Sequence, residues 1–272
     1  MRARKRFGQH FLEDVWVRKV VAAVSPQPDE IFLEIGPGAG ALTVPLARSA
    51  RLVIGVEVDR GLAADLPSVA PPNVRVVLGD VLSVNFADVL PPPAEASRIR
   101  VVGNLPYNIS SPILFRLLEA HARDGRISDA TLMLQKEVAD RLVAAPGTRD
   151  YGILTVLLGR RTRMSHLLTL PPGAFRPPPK VTSAVVRLDF LPDEAIVPAP
   201  PGFDATVRGL FARRRKTLGN SLAAYAGLPG ASAAQLLIGI GIDPRRRPET
   251  LTIPEFAAVA DRVSQTARGS RG

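Results

Sequence analysis

The chain has 272 residues, 46% of them hydrophobic and 22% charged, a globular composition that excludes an intrinsically disordered protein. Thirty-five Lys and Arg against 25 Asp and Glu give a formal net charge of +10, which favours a polyanionic partner, nucleic acid before a membrane surface. The absence of cysteine excludes disulfides and thiolate chemistry, and His10, His121 and His166 lie too far apart in sequence for a zinc spacing, so no metal is expected.

The first residues are basic, but Glu13, Asp14, Arg18 and Lys19 interrupt any signal-peptide core, and no run approaches the ~18 apolar residues of a membrane span. A cytoplasmic protein is expected. From residue 31, short β-branched runs at 31–35, 52–58, 74–78 and 99–102 alternate with segments at 40–50, 60–69 and 110–121 that suit crossover helices. Near-continuous apolar runs indicate burial on both faces, as in a parallel sheet, and hence a doubly wound α/β domain. Further strand-like runs at 130–135, 163–170 and 182–190, with a helix at 136–144, extend that sheet on its far side. Four prolines and a glycine in the twelve residues 191–202 suit a linker, which places a domain boundary at 192/193. Beyond it, helices are expected at 203–217, 218–226, 231–239 and 254–266, the last capped by Thr252 with Pro254 in its first turn, while the final seven residues read as disordered.

Glu34-Ile-Gly36-Pro-Gly38-Ala-Gly40 ends the first of these strands and opens a helix, so the backbone can approach a nucleotide-like ligand closely. The spacing Gly36-x-Gly38-x-x-Ala41 also satisfies the dinucleotide fingerprint, and Glu57 sits about 20 residues on, where an acid binds ribose hydroxyls. At this point NAD fits as well as any other nucleotide. Asp80 ends the third strand at the same sheet edge, where it suits either an adenine amino group or the cap of the following turn.

The fourth strand ends in Asn104-Leu-Pro-Tyr107. Methylating an exocyclic amine of adenine requires acceptors that draw its nitrogen lone pair out of the ring. The Asn104 side-chain oxygen and a backbone carbonyl such as that of Leu105 can accept both N–H bonds, while Pro106 fixes the turn. Tyr107 offers a stacking face, and base–aromatic stacking is worth about 1–3 kcal/mol per base. Phe175, in Ala174-Phe-Arg-Pro-Pro-Pro-Lys180, is the candidate for the other face. Taken alone, Asn104–Tyr107 fits a core tyrosine beside a proline turn better.

Taken together, these segments resemble the small-subunit rRNA adenine N6,N6-dimethyltransferases that use S-adenosylmethionine. The resemblance runs from Arg4-Lys-Arg-Phe-Gly-Gln-His-Phe-Leu12 through the glycine turn, Glu57, Gly79-Asp80, Asn104–Tyr107, Leu134-Gln-Lys-Glu137 and Phe175–Val181 to Arg214-Arg-Lys-Thr217 and Gly241-Ile-Asp-Pro244. It implies a Rossmann-like domain over 1–192 with a seven-stranded, mostly parallel sheet, and a smaller helical rRNA-binding domain over 193–272. In that family's pattern Gln9, His10 and Leu12 close over the donor, Gly36 and Gly38 approach its methionine moiety, Glu57 binds the ribose and Asp80 the adenine. Asn104 serves both the donor and the target N6, Leu105, Pro106 and Tyr107 complete the catalytic turn, and Phe175 sandwiches the base. Arg213, Arg214, Arg215, Lys216, Arg245, Arg246 and Arg247 are the implied rRNA contacts. The implied reaction is dimethylation of two adjacent adenosines near the 3′ end of 16S rRNA, leaving S-adenosyl-L-homocysteine, by a monomer acting on the small ribosomal subunit. His10 departs from the asparagine of many relatives, and its imidazole would make donor affinity sensitive to pH near neutrality.

Three other readings compete. The related large-subunit rRNA dimethyltransferases that confer macrolide resistance share the fold and the glycine turn, but the segments at 214–222 and 241–249 and the leucine of Asn-Leu-Pro-Tyr resemble the small-subunit branch. A non-catalytic RNA-binding assembly factor is set against the intact set Glu57, Asp80, Asn104 and Tyr107. An NAD oxidoreductase leaves Asn104–Tyr107 and the basic C-terminal helices unexplained.

Overall fold

A computed structural model describes residues 11–95 and 98–269. In chain order they form β1 (Phe11–Leu12), α1 (Asp14–Val24), β2 (Ile31–Ile35), α2 (Thr43–Ala47), β3 (Leu52–Glu57), α3 (Arg60–Asp65), β4 (Val74–Leu78), α4 (Phe86–Val89), β5 (Ile99–Asn104), α5 (Ser110–Asp124) and β6 (Ile127–Gln135). There follow α6 (Lys136–Leu142), α7 (Ile153–Gly159), β7 (Thr162–Leu170), β8 (Phe175–Arg176), β9 (Ser183–Phe190), α8 (Phe203–Phe211), α9 (Leu218–Ala226), α10 (Gly230–Ile238) and α11 (Ile253–Gly269).

Two compact units are present: the described residues of Met1–Ala139 with Arg163–Phe190, and those of Asp140–Thr162 with Leu191–Gly272. The second unit therefore takes in α7 as well as the helices that follow the proline-rich segment.

The first unit is built on a seven-stranded sheet of order β4-β3-β2-β5-β6-β9-β7. Strands β4, β3, β2, β5 and β6 pair in parallel, and β9 runs antiparallel to β6, so the sheet is mixed. Burial follows position. All five residues of β2 and the first five of β5 are buried, whereas edge strand β4 carries an exposed Arg75. From β2 the chain moves outward through β3 and β4, then returns to β5 on the other side of β2. That reversal opens a crevice beyond the carboxyl ends of β2 and β5, the place where open α/β sheets bind ligands.

Helix α1 packs Val17, Val20 and Val24, spaced three and four apart, into a cluster that also holds Phe32, Leu46, Val53, Met133 and Phe175. Each such buried valine contributes about 1.5–3 kcal/mol. At the amino ends of the strands, Arg100 is 6% exposed and donates to Asp129 through Nε at 2.8 Å and to Glu30 through Nη1 at 2.8 Å. It also donates through Nη2 to the Val24 carbonyl at 2.8 Å and lies over the Phe32 ring. The charge is thus paired on several sides, which a buried guanidinium requires.

The second unit is helical. Tyr151 is buried and its hydroxyl donates to the Leu251 carbonyl at 2.8 Å, while its ring neighbours Phe211, which stacks on Phe256. Thr252 and Glu255 cap α11 reciprocally: the Thr252 amide donates to Glu255 Oε2 at 2.7 Å and the Glu255 amide to Thr252 Oγ1 at 3.4 Å. Two expectations change here. Helix α8 stops at Phe211 instead of running to 217, and Arg213 to Lys216 form tight turns closed by Arg213 N to Leu210 O and Lys216 N to Arg213 O bonds before Thr217 caps α9. Thr217 Oγ1 accepts the Asn220 amide at 3.5 Å, a cap that begins α9 afresh instead of continuing α8. Conversely, α11 continues through residues 266–269, where the composition of the tail predicts disorder.

Candidate active site

A cavity of about 600 Å³ lies at the carboxyl ends of β2, β3, β4 and β5. Its lining includes Leu12, Gly36, Gly38, Glu57, Asp80 and all four residues Asn104–Tyr107. Such a volume falls in the range of about 300–1,000 Å³ found for small-molecule sites. Gln9 and His10, the other two expected donor contacts, lie outside the described residues.

The glycine turn is shaped to receive a ligand. Gly36 and Gly38 have φ of 66° and 59°, conformations an L side chain rarely adopts, and a Cβ at either would project into open space. A side chain there would fill the cradle. The turn is held against β3 because Gly55 leaves room for Pro37, whose Cγ would stand 2.7 Å from a Cβ added at Gly55.

Glu57 is 5% exposed and ties the turn to its own strand. One carboxylate oxygen accepts the Gly38 amide at 2.9 Å and the other the Asp59 amide at 2.9 Å. Each oxygen keeps a further lone pair, so the group can still accept from ribose hydroxyls. Asp80 fulfils the capping reading with Oδ1, which accepts the Leu82 amide at 2.9 Å, while remaining exposed at the cavity wall. The two readings of Asp80 are therefore compatible.

Asn104 is the last residue of β5, in register with Met133, and the Leu105 amide donates to the Met133 carbonyl at 3.1 Å. Gly103 lets β5 come this close to β2, since a Cβ there would lie 2.8 Å from the Ile35 carbonyl oxygen. The Asn104–Tyr107 turn thus hangs from two neighbouring strands. Beyond it the Tyr107 hydroxyl lies 2.7 Å from Ser183 Oγ.

Phe175 stands elsewhere than expected. Its ring is 2% exposed, within the hydrophobic cluster of α1 and the central strands, and it is not among the residues lining the cavity. Strand β8 pairs with β1, Phe175 opposite Leu12, and an apolar ring with no polar group gains most by turning into that core. The aromatic residues lining the cavity are Phe11 and Tyr107.

Glu34 carries no role among the sequence-based expectations. It lines the cavity, is 2% exposed, and its Oε2 is buried without a hydrogen-bond partner. Burial pushes its carboxyl up to about 7, the Thr43 hydroxyl opposes this, and the charge of Glu57 adds to it. The signal is present in the sequence: a carboxylate in the otherwise apolar run Ile31-Phe-Leu-Glu-Ile35. Ser183 gives none, because its place beside the Tyr107 hydroxyl depends on the pairing of β6 with β9.

The basic residues of the second unit differ among themselves. Arg213, Arg215, Lys216 and Arg247 are exposed, and Arg214 is half-buried with Nη2 donating to the Arg149 carbonyl at 2.9 Å. Arg245 is exposed but paired with Asp243 at 2.9 Å. Arg246 is engaged internally, donating through Nη2 to Glu255 Oε2 at 3.0 Å and to the Thr250 carbonyl at 2.6 Å. Among the described residues no group of three or more His, Asp or Glu is placed to hold a metal ion.

Residues 1–265 match the model of the ribosomal RNA adenine dimethylase family. The chain is 45% identical over 271 residues to ribosomal RNA small subunit methyltransferase A of Laribacter hongkongensis, covering 97% of each chain. It is 44% identical to the protein of the same name from Aromatoleum aromaticum, covering 97% of this chain and 95% of that one. Among solved structures, a dimethyladenosine transferase from Plasmodium falciparum shares the fold with a TM-score of 0.79 at 24% identity, covering 95% of this chain and 98% of that one. The 23S rRNA methyltransferase ErmE has a TM-score of 0.67 at 28% identity, covering 94% of this chain and all of the other. The chain belongs to the ribosomal RNA adenine dimethylase family.

Proposed function

We propose that the protein transfers methyl groups from S-adenosylmethionine to N6 of two adjacent adenosines near the 3′ end of small-subunit rRNA. The observation that carries this reading is the joining of Glu57, Asp80 and Asn104–Tyr107 in one cavity, in a chain similar over its length to small-subunit methyltransferases. The open cradle at Gly36 and Gly38, the carboxylate of Glu57 and the largely apolar wall fit the donor.

When bound, S-adenosylmethionine supplies a methyl group on a sulfonium centre. Gly36 and Gly38 admit its methionine end, Glu57 accepts from the ribose hydroxyls, and Asp80 accepts from the adenine amine. Leu12 covers it from β1. The Asn104 side-chain oxygen and the Leu105 carbonyl accept the two N–H bonds of the target N6, which localises its lone pair for attack on the methyl carbon. The N6 ammonium so formed is acidic enough to lose its proton to water, so no side chain need act as base. Tyr107 stacks on the target ring and offsets part of the few kcal/mol that unstacking a nucleotide costs. Arg213, Arg215, Lys216 and Arg247 contact rRNA phosphates, in a protein acting on the ribosomal precursor in the cytoplasm.

The test is to incubate the protein with radiolabelled S-adenosylmethionine and with small or large ribosomal subunits lacking methylation, then map the label by nuclease digestion and mass spectrometry. Dimethyladenosine in the small subunit is expected. Label confined to the large subunit would overturn the reading in favour of the activity named for ErmE, and no label despite donor and subunit binding would favour an assembly factor.

A further inference from the structure

The cavity contains one aromatic ring whose polar tip is anchored in the protein. The Tyr107 hydroxyl lies 2.7 Å from Ser183 Oγ, and Ser183 is 1% exposed. Ser183 opens β9, in register with Gln135 of β6, and the neighbouring Thr182 carbonyl accepts the Lys136 amide at 2.9 Å. At the other end of the ring, the Tyr107 backbone follows Leu105, whose amide is bonded to Met133, also on β6. The ring is therefore tied at its root to β6 and at its tip to β9, the strand paired with β6.

Stacking does not require the hydroxyl, since a phenylalanine offers the same face. A ring held only at its root samples the staggered wells of χ1, whereas one held at both ends keeps a single orientation before any base arrives. Ser183 sits 76 residues from Tyr107 and outside the cavity lining, so its hydroxyl reaches the substrate only through the ring. We infer that Ser183 is a positioning residue for the methyl transfer, orienting Tyr107 through the Oγ to phenol hydrogen bond so that the target adenine meets a preset stacking face. This rests on the reading in which Tyr107 receives the target base.

The experiment compares the wild-type chain with Ser183→Ala, Ser183→Thr, Tyr107→Phe and the double variant Ser183→Ala/Tyr107→Phe. Turnover is measured on unmethylated small subunits, donor affinity by calorimetry and folding by thermal midpoint. Ser183→Ala and Tyr107→Phe are each expected to lower kcat about ten-fold, since small misplacements of a positioning group cost up to about a hundred-fold. Donor affinity is expected to stay unchanged, Ser183→Thr to restore turnover by returning the hydroxyl, and the double variant to fall no further than either single one. Unchanged kcat in Ser183→Ala, or losses that multiply in the double variant, would overturn the inference. A purely structural serine would lower the thermal midpoint and leave the two losses independent. A wild-type chain that methylates no adenine would remove the reading of the site itself; an active wild type with an indifferent Ser183→Ala removes the hydrogen-bond role alone.

Discussion

The Glu57 carboxylate accepts the amide of Gly38, 19 residues earlier, at 2.9 Å, and so fixes the glycine turn to the end of β3. The same group is assigned to the donor ribose, which couples the shape of the cradle to the hydroxyl-binding acid. Glu57→Ala removes both roles, and hydrogen bonds to a charged group are worth about 1.5–3 kcal/mol. Donor affinity is expected to fall about ten- to a hundred-fold by calorimetry, and Glu57→Gln, which keeps one acceptor, should fall between.

Asn104→Ala should cost about a hundred- to a thousand-fold in turnover, the range for loss of one preorganised polar group at a reacting centre. Binding to small subunits is expected to persist. Sedimentation of the variant with subunits, alongside the label-transfer assay, separates the two quantities; normal turnover would contradict the carbonyl role.

Glu34 makes stability depend on pH in a particular direction. An unfolded carboxyl titrates near its ordinary value of 4.5, whereas in the folded chain this one is pushed up to about 7. Between those values the folded state holds a proton that the unfolded state has released, so the contribution of Glu34 to stability falls as pH rises and is level above about 7. Over that window the change is about 3 kcal/mol. Urea unfolding at about pH 5 and about pH 8 should show Glu34→Gln gaining on the wild type by that order as pH rises, and parallel curves would refute the assignment.

Arg100 sits among Asp129, Glu30 and the Val24 carbonyl at the end of the sheet away from the cavity. Arg100→Met takes the closest cation from Asp129, which is 4% exposed and keeps Ser128 Oγ at 3.3 Å and Arg187 Nη2 at 3.6 Å, and should destabilise the chain by about 3 kcal/mol in denaturant unfolding. Donor affinity at low temperature is expected to survive in the folded fraction.

Replacing Arg213, Arg215 and Lys216 with alanine should weaken subunit binding and reduce its salt slope by up to about three, one for each phosphate left without its cation. Arg246→Ala should behave differently. Its guanidinium holds Glu255 and the Thr250 carbonyl, so the variant is expected to lose about 1–2 kcal/mol of stability with little change in the salt slope.

The sequence is most informative where a residue's role is local. The strands at 31–35 and 74–78 and the helix cap at Thr252 follow from periodicity and from residue types next to one another. The glycine turn, Glu57, Asp80 and Asn104 are legible because each lies at or just past the end of a strand, and parallel strands deliver their carboxyl ends to one edge. What escapes depends on pairing over long stretches of chain. Phe175 reads as a cavity ring until β8 is placed against β1, Ser183 meets Tyr107 only once β9 is paired with β6, and Arg246 reads as a surface cation until Glu255 is placed beside it. Helix α1 is not among the predicted elements although Val17, Val20 and Val24 carry its period; valine's low helix propensity and the missing side-chain cap leave only that spacing to mark it.

Strand β1, which supplies Phe11 and Leu12 to the cavity wall, is held by β8, more than 160 residues later, and Glu13 is paired with Arg176 across the same junction. On a ribosome making this protein, the glycine turn, Glu57, Asp80 and Asn104 have all emerged long before the segment that pins the cover in place. A complete cavity wall is therefore a late product of synthesis: a nascent chain stopped before residue 175 carries the glycine turn, Glu57, Asp80 and Asn104 but lacks the partner strand for β1.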